Sequence, residues 1–242
     1  MTTTLQTAPI LRRTVPGPGI AALAQRDSFI ILGKGKSRAR YAEYRSLMEG
    51  SGFSPALLTL NNFFPGGSDP EMAGFDLPAT TDLHFDVHYD QRFWEDMRGM
   101  SCRCVVSPFR AADIPDGQPW EAFPLALMKR LNLNCYIEST LDFMLASIVI
   151  AHLHAGQPLE GKVVSLPGCD MQDPTHFAYR FGMHYWLGIL HGRGATMMLP
   201  PEGAALKRYA GRRCADTEPD FPHIYGQPWD VTEPYAKEYG WE

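Results

Sequence analysis

The stretch that decides the fold is Phe29-Ile30-Ile31-Leu32-Gly33-Lys34-Gly35-Lys36-Ser37, a short apolar run that breaks into a glycine-rich turn. A helix-like segment follows at 38–49. This order is typical of a first β-strand that leads into the first helix of an α/β sheet. Glycines there permit positive φ and close approach of a ligand, and the N–H groups at the helix start attract an anion. The glycine spacing matches neither a Walker A loop nor a dinucleotide fingerprint. An ordinary strand-to-helix turn without a ligand is therefore the alternative interpretation.

Apolar runs and helix-like segments alternate along the rest of the chain. Strands are predicted at 28–32, 56–60, 82–87, 102–106, 162–166 and 195–199. Helices are predicted at 38–49, 90–98, 120–130, 138–155 and 175–192. This alternation predicts the α/β class, as a single Rossmann-like domain with a mostly parallel sheet flanked by helices on both faces. Ligands of such sheets bind beyond the carboxyl ends of the strands.

Composition shifts predict three parts of the chain. Residues 1–27 are rich in Thr, Pro and Gly and are interpreted as an N-terminal arm. Residues 28–207 form the predicted Rossmann-like domain, and residues 208–242 form a tail rich in Pro and aromatic residues.

Overall composition restricts the class of protein. With 242 residues, of which 45% are hydrophobic and 20% are charged, the chain suits one globular domain. The net charge of -5 provides no general attraction to nucleic acid or to an anionic membrane. It does not exclude a local basic patch at the turn. Five cysteines without a regular framework indicate a reducing compartment. No signal peptide and no apolar run of about 18 residues is found, so we expect a cytoplasmic protein without a membrane span.

Polar residues recur where the predicted strands end, and several such ends on one sheet edge indicate a nucleotide pocket. In chain order, the nucleotide-binding candidates are Gly33, Lys34, Gly35, Lys36, Ser37, Asn61, Asn62, Ser139, Thr140, Gly168 and Asp170.

The third predicted strand carries His84, Asp86 and His88 at alternate positions, which places them on one face of a strand. Two histidines around a carboxylate suit a metal ion, or a catalytic base with its orienting acid. A solvated strand edge is the structural alternative. We take His88 and Asp86 as catalytic candidates.

Each of the other strand-end motifs has a structural alternative. Ser139 and Thr140 can cap the following helix, and the same hydroxyl and N–H groups suit a phosphate. The pair Asn61 and Asn62 suits a turn as well as a ligand. Asp170 can hold a magnesium-bound phosphate or a sugar hydroxyl, or can cap the next helix.

Several segments together resemble a group of bacteriophage-encoded Rossmann-like proteins and, more distantly, bacterial CMP-sugar-dependent sialyltransferases and archaeal 6-hydroxymethylpterin diphosphokinases. The similarity covers roughly residues 28–207. The segments that carry it are Trp120-Glu121-Ala122-Phe123-Pro124, Glu138-Ser139-Thr140-Leu141-Asp142-Phe143-Met144-Leu145-Ala146, Leu166-Pro167-Gly168-Cys169-Asp170-Met171, Phe177-Ala178-Tyr179-Arg180, His184-Tyr185-Trp186-Leu187-Gly188, Gly192-Arg193-Gly194 and Leu199-Pro200-Pro201-Glu202.

The resemblance implies a nucleotide pocket built from the same strand ends, and it makes His184 a further catalytic candidate because the sialyltransferases carry their histidine late in the domain. The turn departs from the usual Asn/Ser-Gly-Pro-Ser pattern. Its two added lysines, Lys34 and Lys36, would favour a diphosphate donor.

The function expected on these grounds is that of a glycosyltransferase using an NDP- or CMP-sugar, with a possible divalent metal at Asp170. The acceptor expected from the phage-like resemblance is a hydroxymethylated base in DNA. An ATP- and Mg²⁺-dependent pyrophosphokinase acting on a small alcohol is the first alternative. A non-catalytic phage accessory protein is the second.

Overall fold

The computed structural model describes residues 14–65, 69–70, 81–88, 90–133, 136–170 and 180–200. Its centre is one seven-stranded sheet in which every neighbouring pair of strands is parallel. The strands are β1 (Ser28–Ile31), β2 (Ala56–Leu60), β3 (Leu83–Asp86), β4 (Arg103–Val106), β5 (Trp120–Ala122), β6 (Val163–Ser165) and β7 (Thr196–Met198). The predicted Rossmann-like α/β class is confirmed.

The strand order is β5-β4-β3-β2-β1-β6-β7, so the chain builds outward from β1 in one direction and then returns to build in the other. Phe29 of β1 is in register with Ala56 of β2, and Ser28 is in register with Val163 of β6. The change of direction between β1 and β6 is the topological switch point, beside which ligands of open α/β sheets bind.

Helices cover both faces of the sheet. They are α1 (Pro18–Leu23), α2 (Tyr41–Gly50), α3 (Trp94–Met97), α4 (Leu125–Arg130), α5 (Thr140–His154) and α6 (Arg180–Gly192), with 3₁₀ helices at Lys36–Arg40 and Pro108–Asp113. Alternate residues of β1 face opposite layers, as a strand requires. Phe29 and Ile31 pack in the core that contains α5, whereas Ile30 and Leu32 pack with Tyr41 and Met48 of α2.

Helix α5 is the central element of the larger core. Its residues from Met144 to His152 are all buried, because it lies against the sheet and also contacts α1 and α6. A helix that is apolar on all sides is stable in water only in such a position. Its N-terminus is thereby fixed at the carboxyl edge of the sheet.

The structure differs from the sequence interpretation at two linked places. The predicted helix at 120–130 is a short strand, β5, followed by α4, and part of the predicted arm is helix α1. Ile20 and Leu23 of α1 are buried in the main core. The buried carboxylate of Glu121 accepts hydrogen bonds from the N–H groups of Gly19 and Ile20, both at 2.8 Å. This acid therefore satisfies the N-terminal N–H groups of α1.

Among the helices formed by the described residues, none combines the length and the apolar character needed to cross a membrane. Three predicted parts lie outside the described residues: the first residues of the arm, the end of the domain at 207 and the whole tail at 208–242.

Candidate functional site

The turns after β1 and β6 are joined by backbone hydrogen bonds. Gly33 N–H donates to the carbonyl of Pro167 at 2.9 Å, and Gly35 N–H donates to that of Gly168 at 2.7 Å. Neither Gly33 nor Gly35 has the positive φ considered in the sequence analysis; Gly168 has it, at 78°. A Cβ atom on Gly33 or Gly168 would lie closer than 3.0 Å to backbone of the other turn. The glycines therefore permit contact between two turns of the same chain.

A buried serine and aspartate complete this contact, which we call the switch-point clasp (Gly33, Gly35, Ser37, Gly168 and Asp170). The Ser37 N–H donates to Asp170 Oδ2 at 3.0 Å, and the Ser37 hydroxyl donates to Asp170 Oδ1. The Gly168 N–H in turn donates to Ser37 Oγ at 2.8 Å. Asp170 thus supplies its own negative charge where the sequence predicts a phosphate at the start of the 3₁₀ helix.

The cations beside the clasp differ in their surroundings. Lys34 forms an ion pair with the buried carboxylate of Asp69 and donates to Asn62 Oδ1 at 2.6 Å. Arg38 donates to the carbonyl oxygens of Lys34 and Gly35. Lys36 is exposed. Of the two lysines predicted to meet a donor phosphate, the structure therefore places Lys34 in contact with other residues of the chain and Lys36 at the surface.

A histidine–carboxylate pair lies on the same edge at the end of β3, two strands away from β1. Asp86 is fully buried at the end of β3, and its Oδ1 lies 2.5 Å from Nδ1 of His88. In the tautomer whose Nδ1–H donates to Asp86, Nε2 presents a lone pair. The His88 side chain is 27% exposed. This is the arrangement of a general base that is oriented by an acid.

The start of α5 lies beside this pair. Ser139 is the N-cap and forms a capping box with Asp142, so its predicted capping role is confirmed. Burial raises the pKa of Asp142 to about 7, although hydrogen bonds from the N–H groups of Glu138 and Ser139 oppose that rise. Asn61 adopts a left-handed φ of 57°, as expected for a turn asparagine, and its Oδ1 accepts a hydrogen bond from the Thr140 hydroxyl at 3.2 Å.

These elements enclose a cavity of ≈ 330 Å³. Three strand or helix ends contribute to it: the residues after β2, the residues after β3, and the first turn of α5. The described residues that line it are Leu60, Asn61, Val87, His88, Ile137, Glu138, Ser139, Thr140, Leu141 and Phe143. We call this space the β2–β3 cavity. Apolar walls with a few convergent polar groups are typical of a small-molecule site.

The sequence candidates thus fall into two neighbouring groups. Asn61, His88, Ser139 and Thr140 line the β2–β3 cavity, with Asp86 behind His88. The second group is the switch-point clasp, with Lys34 linked to the adjacent Asn62.

Two other histidines lie elsewhere. His184 is on α6, half-buried, and is not among the residues that line the cavity. His84 is inside the core, where burial lowers its pKa to about 3, and its Nδ1 lies 2.9 Å from the Thr59 hydroxyl. His84 is therefore a neutral core histidine.

The tentative role of Asp170 as a metal ligand stays a prediction. Both of its oxygens accept hydrogen bonds from Ser37. Within the described part of the chain, no three His, Cys, Asp or Glu side chains come together as a metal site would need.

Sequence reasoning missed two contributors to this edge. Phe143 forms an apolar wall of the cavity, and Asp142 holds the α5 cap. The spacing Ser139-x-x-Asp142 is close to a capping box and could have identified Asp142. No local pattern assigns Phe143 to a cavity.

No protein-family model matches this chain, and no curated protein sequence matches it.

Proposed function

We propose that this protein is a glycosyltransferase that activates an acceptor hydroxyl with His88 and uses a sugar nucleotide as donor. The observation that carries the proposal is the Asp86–His88 pair, with Nδ1 and Oδ1 2.5 Å apart, at the wall of the β2–β3 cavity. A base whose tautomer is fixed by a buried carboxylate is suited to removing a proton from a hydroxyl group.

In the proposed reaction, Nε2 of His88 accepts the proton of the acceptor hydroxyl. The oxygen forms a bond to the anomeric carbon of the donor sugar while the bond from that carbon to the donor phosphate breaks. The nucleotide leaves with the electron pair of the broken bond. Lys36, exposed beside the clasp, is the cation available to the departing phosphate.

A sugar nucleotide is the preferred donor for two reasons. Nucleotides bind at the carboxyl edge of Rossmann-like sheets, where the cavity and the clasp lie. The order of sequence segments resembles that of CMP-sugar-dependent sialyltransferases. The Asp170 carboxylate occupies the position in the clasp where the sequence predicts a phosphate. We therefore place the donor phosphates outside the clasp, toward Lys36.

The cytoplasm is the proposed compartment. Cys102, Cys104 and Cys169 are buried free thiols, which agrees with a reducing environment.

The first experiment is a thermal-shift screen with CMP, UDP, GDP, ADP and ATP, because a ligand specific for the native state must raise its melting temperature. Sugar nucleotides of the stabilising base are then incubated with acceptors, including DNA that contains hydroxymethylated bases, and products are read by mass spectrometry. Mg²⁺-dependent release of AMP from ATP, with transfer of the diphosphate group to an alcohol acceptor, would instead identify a diphosphokinase. No stabilisation by any nucleotide would favour a non-catalytic protein.

A further inference from the structure

Charge is distributed unevenly on the two sides of the Asn61-Asn62 turn. On the clasp side, the described cations Lys34, Lys36 and Arg38 outnumber the carboxylates of Asp69 and Asp170 by three to two. On the cavity side, the described lining residues include no Lys or Arg, and the one acidic residue is Glu138. A group with a negative charge is therefore attracted to one side of the turn and repelled from the other.

Glu138 is held at the cavity rim by contacts at both of its ends. Its backbone N–H donates to Asp142 Oδ2 at 2.7 Å, and its Oε2 accepts a hydrogen bond from the N–H of Gly182 on α6 at 3.3 Å. The residue is exposed and belongs to the lining of the cavity. A fixed carboxylate accepts hydrogen bonds from hydroxyl groups and disfavours another carboxylate or a phosphate.

The rest of the lining agrees with an uncharged ligand that has an apolar face. Leu60, Val87, Ile137 and Phe143 provide apolar wall. Asn61 uses its side-chain oxygen to accept from Thr140, so its amide group retains two donor hydrogens. The volume of ≈ 330 Å³ lies at the lower end of the range for small-molecule sites, about 300–1,000 Å³.

We propose that the β2–β3 cavity binds the acceptor, that this acceptor is an uncharged ring alcohol of monosaccharide size, and that Glu138 is the specificity-determining residue that excludes anionic acceptors. This inference rests on the proposed function, because it is the base role of His88 that requires the acceptor hydroxyl to enter this cavity. DNA, which brings phosphates to the rim, is correspondingly disfavoured.

The test measures binding of matched probes to the full chain without any donor. The probes are the methyl glycosides of glucose, galactose and mannose, each paired with its uronic acid, so that the members of a pair differ by a carboxylate in place of a hydroxymethyl group. Binding is followed by NMR of the histidine ring signals, with His88 assigned from His88→Asn. The variants are Glu138→Gln, which keeps the side-chain shape and an oxygen acceptor for Gly182, and Glu95→Gln, which removes an exposed charge on α3.

At least one neutral glycoside should shift the His88 signals and bind about fivefold to tenfold more tightly than its uronic acid, the effect expected of one fixed charge near a solvated surface. Glu138→Gln should reduce that ratio to less than about twofold. Glu95→Gln should leave it unchanged.

Three results would overturn the inference: uronic acids that bind as well as their neutral partners, a ratio unaffected by Glu138→Gln, or no shift at His88 with any neutral glycoside. The proposed function fails separately. If the neutral glycosides bind with the expected preference and no sugar nucleotide yields a product, the cavity assignment stands and the transferase assignment falls. If transfer occurs to DNA and to no neutral sugar, the transferase assignment stands and the acceptor class is wrong.

Discussion

The switch-point clasp and the β2–β3 cavity lie on one edge of one sheet and are built from similar residues, yet the chain uses them in opposite ways. In the clasp, Ser37 and Asp170 satisfy each other, and two glycines bring the turns into contact. In the cavity, Asp86 orients His88 and leaves the second ring nitrogen available to a ligand. A polar residue at a strand end therefore indicates a binding site only when some of its hydrogen-bonding atoms are not used within the chain.

The largest effect that this comparison predicts is on the proposed sugar transfer at the cavity. His88→Asn can keep a hydrogen bond to Asp86 but cannot take a proton, so the rate of sugar transfer should fall by about 10² to 10⁴. The rate is measured by product mass under saturating donor. His191→Asn, at the exposed end of α6, is the matched control and should retain the rate of the unmodified protein. Full activity in His88→Asn would remove the pair from the mechanism.

The next effect is on stability at the clasp. Gly168→Ala places a Cβ atom against Gly33 at a φ of 78°, so the free energy of unfolding should fall by at least about 2 kcal/mol. Gly161→Ala has a similar φ of 74° with open space around the new atom. It should cost only about 1 to 2 kcal/mol. Urea denaturation measures both, and equal losses would show that the two turns are not in close contact.

A third effect concerns the pH dependence of stability, through Asp142 in the first turn of α5. The carboxyl of Asp142 has its pKa raised from 3.8 to about 7 in the fold, so the folded chain holds a proton that the unfolded chain releases. Its stabilising contribution is present below the unfolded pKa and is lost as the pH rises toward 7. The free energy of unfolding of the unmodified protein should therefore fall relative to Asp142→Asn between pH 4 and pH 7. A constant difference over that interval would contradict the raised pKa.

The smallest predicted effect is a difference between the two lysines of the turn in their contribution to nucleotide affinity. Lys36→Ala should weaken binding of a nucleoside diphosphate by about twofold to fivefold, because an exposed charge contributes little. Lys34→Ala should leave that affinity unchanged, since Lys34 already contacts Asp69 and Asn62. Calorimetric titration with UDP, GDP or ADP, chosen by the thermal-shift screen, measures both. A larger loss in Lys34→Ala would place the donor phosphates at Lys34, beside the clasp, rather than at Lys36.

Local sequence patterns are sufficient to predict the fold class and some of the residues at the carboxyl edge of the sheet. The apolar run before Gly33 is β1, and the Ser139 cap was correctly inferred, because each depends on residues near in sequence. Strand β5 was assigned to a helix, since three residues with a charged Glu121 in the middle show no strand periodicity.

The division between clasp and cavity could not be read from the sequence. Ser37 and Asp170 are 133 residues apart, and either one alone has the appearance of a ligand for phosphate or metal. Only the pairing of β1 with β6 brings them together and makes each the partner of the other. The rim position of Glu138 likewise depends on α6, whose Gly182 lies 44 residues further along the chain.

The contact between Glu121 and helix α1 has a consequence for synthesis. The N–H groups of Gly19 and Ile20 find their acceptor 102 and 101 residues later, so this contact can form only after the ribosome has added Glu121. Helix α1 has six residues, which is too few to be stable alone in water. Helix α1 therefore lacks this native partner while the next hundred residues are synthesised. During that time its apolar residues Ile20 and Leu23 are available to chaperones.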